Sequence, residues 1–138
     1  MTLQEGRHVG FINVEDATFE LAKQVKKALA AQDVSTFADL LDPNVTWGAP
    51  GARKPTCKNR NQVLRWYQRA QQSGVRGSAF DVEVIGDRLL VSLVVRGTED
   101  ARERGGTALR YQVYTVRDGR IVDIVGFDDK AEALAHAR

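Results

Sequence analysis

Cysteine is nearly missing from this chain. Cys57 is the only one among 138 residues, so neither an intramolecular disulfide nor a multi-cysteine metal site can form. Histidine is almost as scarce. His8 and His136 stand near opposite ends, which leaves no compact histidine-rich metal motif and no base for a Cys-His or Ser-His nucleophile. No metal and no cofactor are therefore expected. No apolar run approaches a membrane span, and Met1 to Asn13 lacks the basic start and oily stretch of a secretory signal, so the expectation is a cytoplasmic chain with no membrane partner. Gly105-Gly106 does not open a helix after a strand, which excludes a phosphate-cradling loop.

What is present is enough for one core. At 43% hydrophobic and 28% charged residues, the length suits a single domain and is too short for two ordinary ones. The net charge of +2 excludes little, but its distribution is uneven. Pro43 through Phe80 carries Arg53, Lys54, Lys58, Arg60, Arg65, Arg69 and Arg76 with no acid, an excess that can attract an anion. A nucleic-acid surface would interleave such charge with exposed aromatics, whereas Trp66 and Tyr67 fall on an apolar helical stripe, so no nucleic acid is expected.

The spacing of Val14, Ala17, Leu21, Val25, Ala28 and Leu29 predicts a helix over Val14 to Ala31, with Asn13 or Asp16 as its cap. Asp33 caps a short second helix carrying Phe37, Leu40 and Leu41, which Pro43 stops. Val45 to Trp47 reads as a short strand and Gly48 to Cys57 as a loop rimming an opening. Asn59 with Gln62 has capping-box spacing and opens a third helix whose stripe is Val63, Trp66, Tyr67 and Ala70. Gly86-Asp87 joins a hairpin from Phe80 to Gly97, and strict alternation puts Phe80, Val82, Val84, Leu89, Val91, Leu93 and Val95 on a core face. Glu99 to Gly106 reads as a charged connection, and Asp129 with Glu132 opens a terminal helix through Ala137.

A second hairpin runs from Leu109 to Asp129 around Asp118-Gly119. With Arg117 facing Arg120, alternation collects Leu109, Tyr111, Val113, Thr115, Val122, Ile124, Gly126 and Asp128 on one face. Arg110, Gln112, Tyr114 and Asp123 then share the other with Val116, Ile121, Val125 and Phe127, a mixture suited to solvent or a partner subunit. Early helices, two long hairpins and a closing helix make an α+β arrangement.

The order of elements, the stretch Cys-Lys-Asn-Arg-Asn-Gln-Val-Leu-Arg-Trp-Tyr at Cys57 to Tyr67, and Val-Tyr-Thr-Val-Arg-Asp-Gly-Arg-Ile-Val-Asp-Ile-Val-Gly-Phe-Asp at Val113 to Asp128 resemble the SnoaL-like branch of the nuclear transport factor 2 superfamily. The resemblance implies one domain over 1–138, an arm over 1–13 and a cone over 14–137. The cone is a curved, mostly antiparallel sheet wrapped around the long first helix, with a ligand cavity at its wide end and a homodimer formed through the sheet's outer face. Members include ketosteroid isomerases, polyketide cyclases, limonene epoxide hydrolases and proteins with no catalytic role, so fold alone does not choose the chemistry.

The candidate acid is Asp128, which shares the predicted face with Tyr111 beside Gly126. A carboxyl group in an apolar hollow rises toward neutrality and becomes a general acid or base, while a phenol donates to a developing oxyanion. Trp47 and Trp66 are expected to hold the substrate as flat walls, with Val113, Ile124 and Gly126 lining the same face and Arg53 or Lys54 at the entrance. Aligned on Asp33 and Val45 to Gly48, the ketosteroid isomerase likeness puts Val25 at its oxyanion tyrosine, Trp47 at its base aspartate and Gln112 near its second acid. None of those roles is filled. The Asp-Arg-Asp set of limonene epoxide hydrolases maps onto Asp81, Arg96 and Asp128, with the first two on the polar side of their hairpin. The expected function is a small-molecule-binding protein for a hydrophobic metabolite, with cofactor-free acid-base chemistry of the cyclase, isomerase or hydrolase type. The alternative is a noncatalytic ligand-binding or dimerisation module, in which the cavity is plugged by side chains or lacks a polar pair and a Tyr114 mutation shifts the oligomeric state.

Overall fold

The computed structural model describes residues 14–138; the expected arm over 1–13, His8 and the cap Asn13 lie outside the described residues. Helix α1 (Val14–Ala30) turns Leu21, Val25, Ala28 and Leu29 into the core, the three- and four-residue steps of one helical face. Helix α2 (Val34–Asp39) starts at Asp33, whose side chain accepts from the Thr36 N–H at 3.1 Å, and buries Phe37. Leu41 leaves the helix and begins strand β1 (Leu41–Gly48), longer than the expected Val45 to Trp47. Pro43 is tolerated within it because β1 is an edge strand, where a missing N–H breaks no ladder.

Helix α3 (Arg60–Gln72) is capped by Asn59, which accepts from the Gln62 N–H at 2.9 Å, while Gln62 Oε1 accepts from the Lys58 N–H at 2.7 Å. Strand β2 (Arg76–Ile85) pairs antiparallel with β3 (Arg88–Arg96), helix α4 (Glu99–Glu103) forms one turn inside the expected connection, and β4 (Ala108–Arg117) and β5 (Arg120–Phe127) form the second hairpin. Helix α5 (Lys130–Ala137) closes the described chain from the Asp129 cap. The five-stranded sheet has the order β1-β5-β4-β3-β2, antiparallel except where β1 runs parallel to β5. Thr46 Oγ1 donates to Asp123 Oδ1 at 2.6 Å across that parallel pair. None of the helices among the described residues is long and apolar enough to cross a membrane.

Both hairpins depart from strict alternation by one residue. In the first, Ala79 faces Leu93 and Asp81 faces Ser92, so Phe80 is the extra residue of a bulge. Ala79 is buried in the place expected for Phe80, and the phenyl ring is 50% exposed. In the second, Val116 faces Ile121 but Thr115 faces Asp123, leaving Val122 unpaired. Beyond that bulge every side chain of β5 changes face relative to β4. The helix-covered inner face therefore carries Gln112, Tyr114, Val116, Ile121, Ile124 and Gly126, while Tyr111, Val113, Val125 and Phe127 lie on the outer one.

The outer face is apolar because it too is covered. Ala133 and Ala137 of α5 pack with Leu90, Val113 and Phe127 as a second cluster, joined by Tyr111 and Val125. Arg88 holds the end of this helix by donating to the His136 carbonyl, and the His136 ring lies 5.3 Å from that of Phe127. Burial on both sides explains why the sheet's faces are hard to tell apart by polarity.

Candidate functional site

Between α1, α2, α3 and the inner face of the sheet lies a cavity of about 310 Å³, near the lower end of the usual range for small-molecule pockets. Helix α3 brings Trp66 and Tyr67 to it from the apolar stripe, α2 brings Phe37, and β1 brings Trp47. The rings form a continuous wall: Trp47 and Trp66 centroids are 4.5 Å apart, Trp47 and Tyr67 5.3 Å, and Phe37 and Tyr67 5.6 Å in an edge-to-face contact. Ala28, Leu29, Leu93 and Val95 supply aliphatic lining.

The polar groups at depth come from β4 and α3. Tyr114 is wholly buried and donates its hydroxyl proton to Gln112 Oε1 at 2.7 Å. The Tyr67 phenol hydrogen-bonds with the same two side chains. Tyr67 and Gln112 border the cavity, and Tyr114 stands behind them. Burial pushes the Tyr67 phenol up to about 12 despite its hydrogen bonds. Burial, reinforced by Tyr67, pushes Tyr114 well above the ordinary phenol range. Both are therefore protonated at neutral pH and act as donors.

The mouth is ionic. Arg110, on the inner face of β4, reaches Asp128 Oδ1 with its Nε at 3.2 Å and also pairs with Asp100, which takes Arg104 Nε at 2.9 Å. The Arg110 hydrogen bond first, and Arg104 second, hold the Asp100 carboxyl below the usual range. Asp33 and Arg76 border the same opening. The Thr36 hydroxyl and N–H likewise keep Asp33 below its ordinary value.

This geometry corrects the expected pairing of Tyr111 with Asp128. Both border the cavity, but Tyr111 faces Phe127 across the ladder and its ring packs with the outer cluster. The Asp128 side chain is 87% exposed and ion-paired, so the desolvation argued for it from alternation does not operate. The Val122 bulge is the physical cause: one unpaired residue rotates the end of β5 by one face relative to β4. Val113 belongs to the outer cluster and Ile124 to the core, and neither borders the cavity. Arg53 and Lys54 are exposed in their loop and border no described cavity. The hydrogen-bonded pair of Trp47 and Cys57, with N–O distances of 2.9 and 3.0 Å, fastens that loop along β1 instead. Trp47, Trp66 and Gly126 do line the cavity as expected. Asp81 pairs opposite Ser92 and Arg96 is exposed, so neither converges with Asp128.

Gln112, Tyr114 and Arg110 are the residues that alternation assigned to the wrong face of the sheet. Tyr67 stands on the apolar helical stripe as its spacing predicts, and the stripe alone does not single it out as a pocket donor. The likeness to ketosteroid isomerases had already put Gln112 near a pocket acid, in conflict with the alternation count, and the structure sides with the likeness for that position.

The family model for the SnoaL-like domain matches residues 22–124. Among solved structures, a candidate polyketide cyclase from Sinorhizobium meliloti is 22% identical, with a TM-score of 0.60 over 78% of this chain and 94% of that one. A candidate ketosteroid isomerase from Kribbella flavida is 18% identical, with a TM-score of 0.65 over 83% of this chain and 79% of that one. TerC, co-crystallised with polyporic acid, is 18% identical, with a TM-score of 0.60 over 88% of this chain and 98% of that one. Among curated proteins no relative matches the chain.

Proposed function

The chain belongs to the SnoaL-like domain family, and on that premise we propose that it binds a planar, hydrophobic small molecule bearing a carbonyl or hydroxyl oxygen. The observation that carries this reading is the aromatic wall of Phe37, Trp47, Trp66 and Tyr67 closing on a buried phenol and amide. Flat rings stack on such a wall, and a ligand oxygen reaching its depth meets Tyr67 and Gln112 as donors. The co-crystallisation of TerC with polyporic acid supports a small-molecule ligand in a fold of this kind.

The chemistry this arrangement favours is polarisation of a carbonyl. Donors whose protons are held by burial stabilise an enolate or oxyanion more in the transition state than in the ground state. Tyr114 is a positioning residue: it occupies Gln112 Oε1, which turns the amide N–H groups toward Tyr67 and the cavity. Asp128, at the mouth beside Arg110, is the proton carrier of this reading, acting from the solvent side.

The module reading forecasts a cavity that is plugged or lacks a polar pair and a partner-facing Tyr114, whereas the cavity is open, Tyr67 and Gln112 border it, and Tyr114 is wholly buried. Self-association remains part of the proposal in altered form. With α5 seated on Leu90, Val113 and Phe127, two copies would meet through α5 and the exposed Leu109 beside it.

Native mass spectrometry of freshly purified protein, followed by titration with 2-naphthol under tryptophan fluorescence, tests the binding reading. Retention of a planar oxygenated molecule, or saturable quenching that Tyr67→Phe weakens, supports it. An empty spectrum with no saturation at millimolar 2-naphthol overturns it.

A further inference from the structure

Beside the aromatic wall lies a second hollow of about 240 Å³, bordered by Gly48, Ala49, Thr56 and Cys57. It shares Trp47, Trp66 and Gly126 with the main cavity, so the two indoles form the partition between them. The halves of that partition differ in freedom. Trp47 is 9% exposed and its backbone is hydrogen-bonded to Cys57, whereas Trp66 is 42% exposed on α3. A half-exposed indole has solvent on one side into which it can turn.

Gly126 is the shared position without a side chain. Its backbone lies outside the left-handed region, and a Cβ built there would meet only Trp47 Nε1, at the ordinary distance of 3.9 Å. Neither conformation nor crowding demands glycine at this point. Its effect is to leave a gap in the wall where every other residue type would project carbon toward the tryptophans. The hollow beyond is made of small residues and the Cys57 thiol, which burial pushes up and so keeps uncharged at neutral pH.

We infer that the second hollow is a subsite for an apolar aryl or alkyl substituent of the ligand, reached past Gly126, with Gly126 and Trp66 setting the length of molecule accepted. The inference rests on the proposed binding of a small molecule in the main cavity. The subsite selects ligands with a second ring or chain joined to the planar core, and excludes a charged tail, because a charge placed against Ala49, Cys57 and the indoles would lose its hydration without a partner.

Two probes separate this inference from the reading beneath it: 2-naphthol, which fits one cavity, and 6-phenyl-2-naphthol, which needs both. Each is titrated against the wild type and Gly126→Val. Conversion of Cys57 to its methyl disulfide by methyl methanethiosulfonate, with methanesulfinate leaving, is followed by intact mass in the wild type and in Trp66→Ala, with and without each probe. The expected results are a shift of about tenfold in the ratio of the two affinities in Gly126→Val, faster Cys57 modification in Trp66→Ala, and protection of Cys57 by the phenyl compound but not by 2-naphthol. The cysteine arm needs no substitution at position 126, so it decides even where Gly126→Val fails to fold. An unchanged affinity ratio in a folded Gly126→Val protein, a Cys57 that the phenyl compound does not protect, or one that Trp66→Ala does not expose overturns the subsite while 2-naphthol binding leaves the main cavity standing. Failure of both probes to bind the wild type overturns both.

Discussion

Tyr114 and Gln112, two residues apart on one strand, are joined by a hydroxyl-to-amide hydrogen bond of 2.7 Å on the buried side of the sheet. A contact between positions i and i+2 fixes their common face, because side chains alternate along a strand. It also creates a liability. Tyr114→Phe leaves Gln112 Oε1 buried without its donor, and the expected loss is about 1–3 kcal/mol in urea unfolding at neutral pH. Adding Gln112→Leu should restore part of that loss, since both polar partners are then gone; a double variant less stable than the single one would contradict the explanation.

In the proposed binding mode the Tyr67 hydroxyl is one donor to the ligand. Tyr67→Phe should weaken binding of an oxygenated probe such as 2-naphthol by about 0.5–1.5 kcal/mol, roughly two- to tenfold in Kd. Naphthalene, which lacks the oxygen, should show no comparable loss. Calorimetric titration of both compounds checks the difference.

Stability should fall at alkaline pH, and the sign follows from the phenols. An unfolded tyrosine ionises near pH ~10, whereas folded Tyr67 is raised to about 12. The contribution of Tyr67 is thus complete below its unfolded value and disappears as pH climbs through the folded one. Tyr114 acts in the same direction. Urea midpoints should hold up to pH ~10 and drop from there toward about 12, less steeply in Tyr67→Phe. A midpoint independent of pH over that interval would remove the buried phenols from the account.

Asp128 pairs with Arg110 from an exposed position, so Asp128→Asn should cost no more than about 1 kcal/mol of stability. If its role is proton transfer at the mouth, turnover of a substrate falls while affinity for 2-naphthol falls less than in Tyr67→Phe. A parallel loss of affinity and rate would reassign it to binding.

For the proposed self-association through α5 and β4, Leu109 is the informative position, because it is 48% exposed beside the covered outer cluster. Leu109→Asp should shift sedimentation toward the single chain. An unchanged profile at the same concentration would exclude this surface.

The helices were legible because each carries its own signal. Asp33, Asn59 and Asp129 cap the elements their spacing announced, and the Val25 to Leu29 face is buried as its periodicity required. The sheet was legible only in outline. Both two-residue turns were identified from Gly86-Asp87 and Asp118-Gly119, yet a bulge at Phe80 and another at Val122 displaced the count beyond them. Alternation could not reveal either, because aliphatic residues occupy both faces and α5 makes the outer one apolar as well. The tryptophans survived as pocket residues because their positions on β1 and α3 do not depend on the hairpin register. The acid and phenol did depend on it, and parted.

Gly97 carries a different kind of constraint. Its φ is +82°, and a Cβ there would stand 2.1 Å from the Gly74 carbonyl oxygen, so two chain reversals share space that a single methyl group would need. The segment after α3 carries Val75 and Arg76 to the mouth, and the segment after β3 carries Thr98 to it. Anyone diversifying the entrance to retune selectivity should therefore hold position 97 as glycine, since any side chain there forces the two reversals apart.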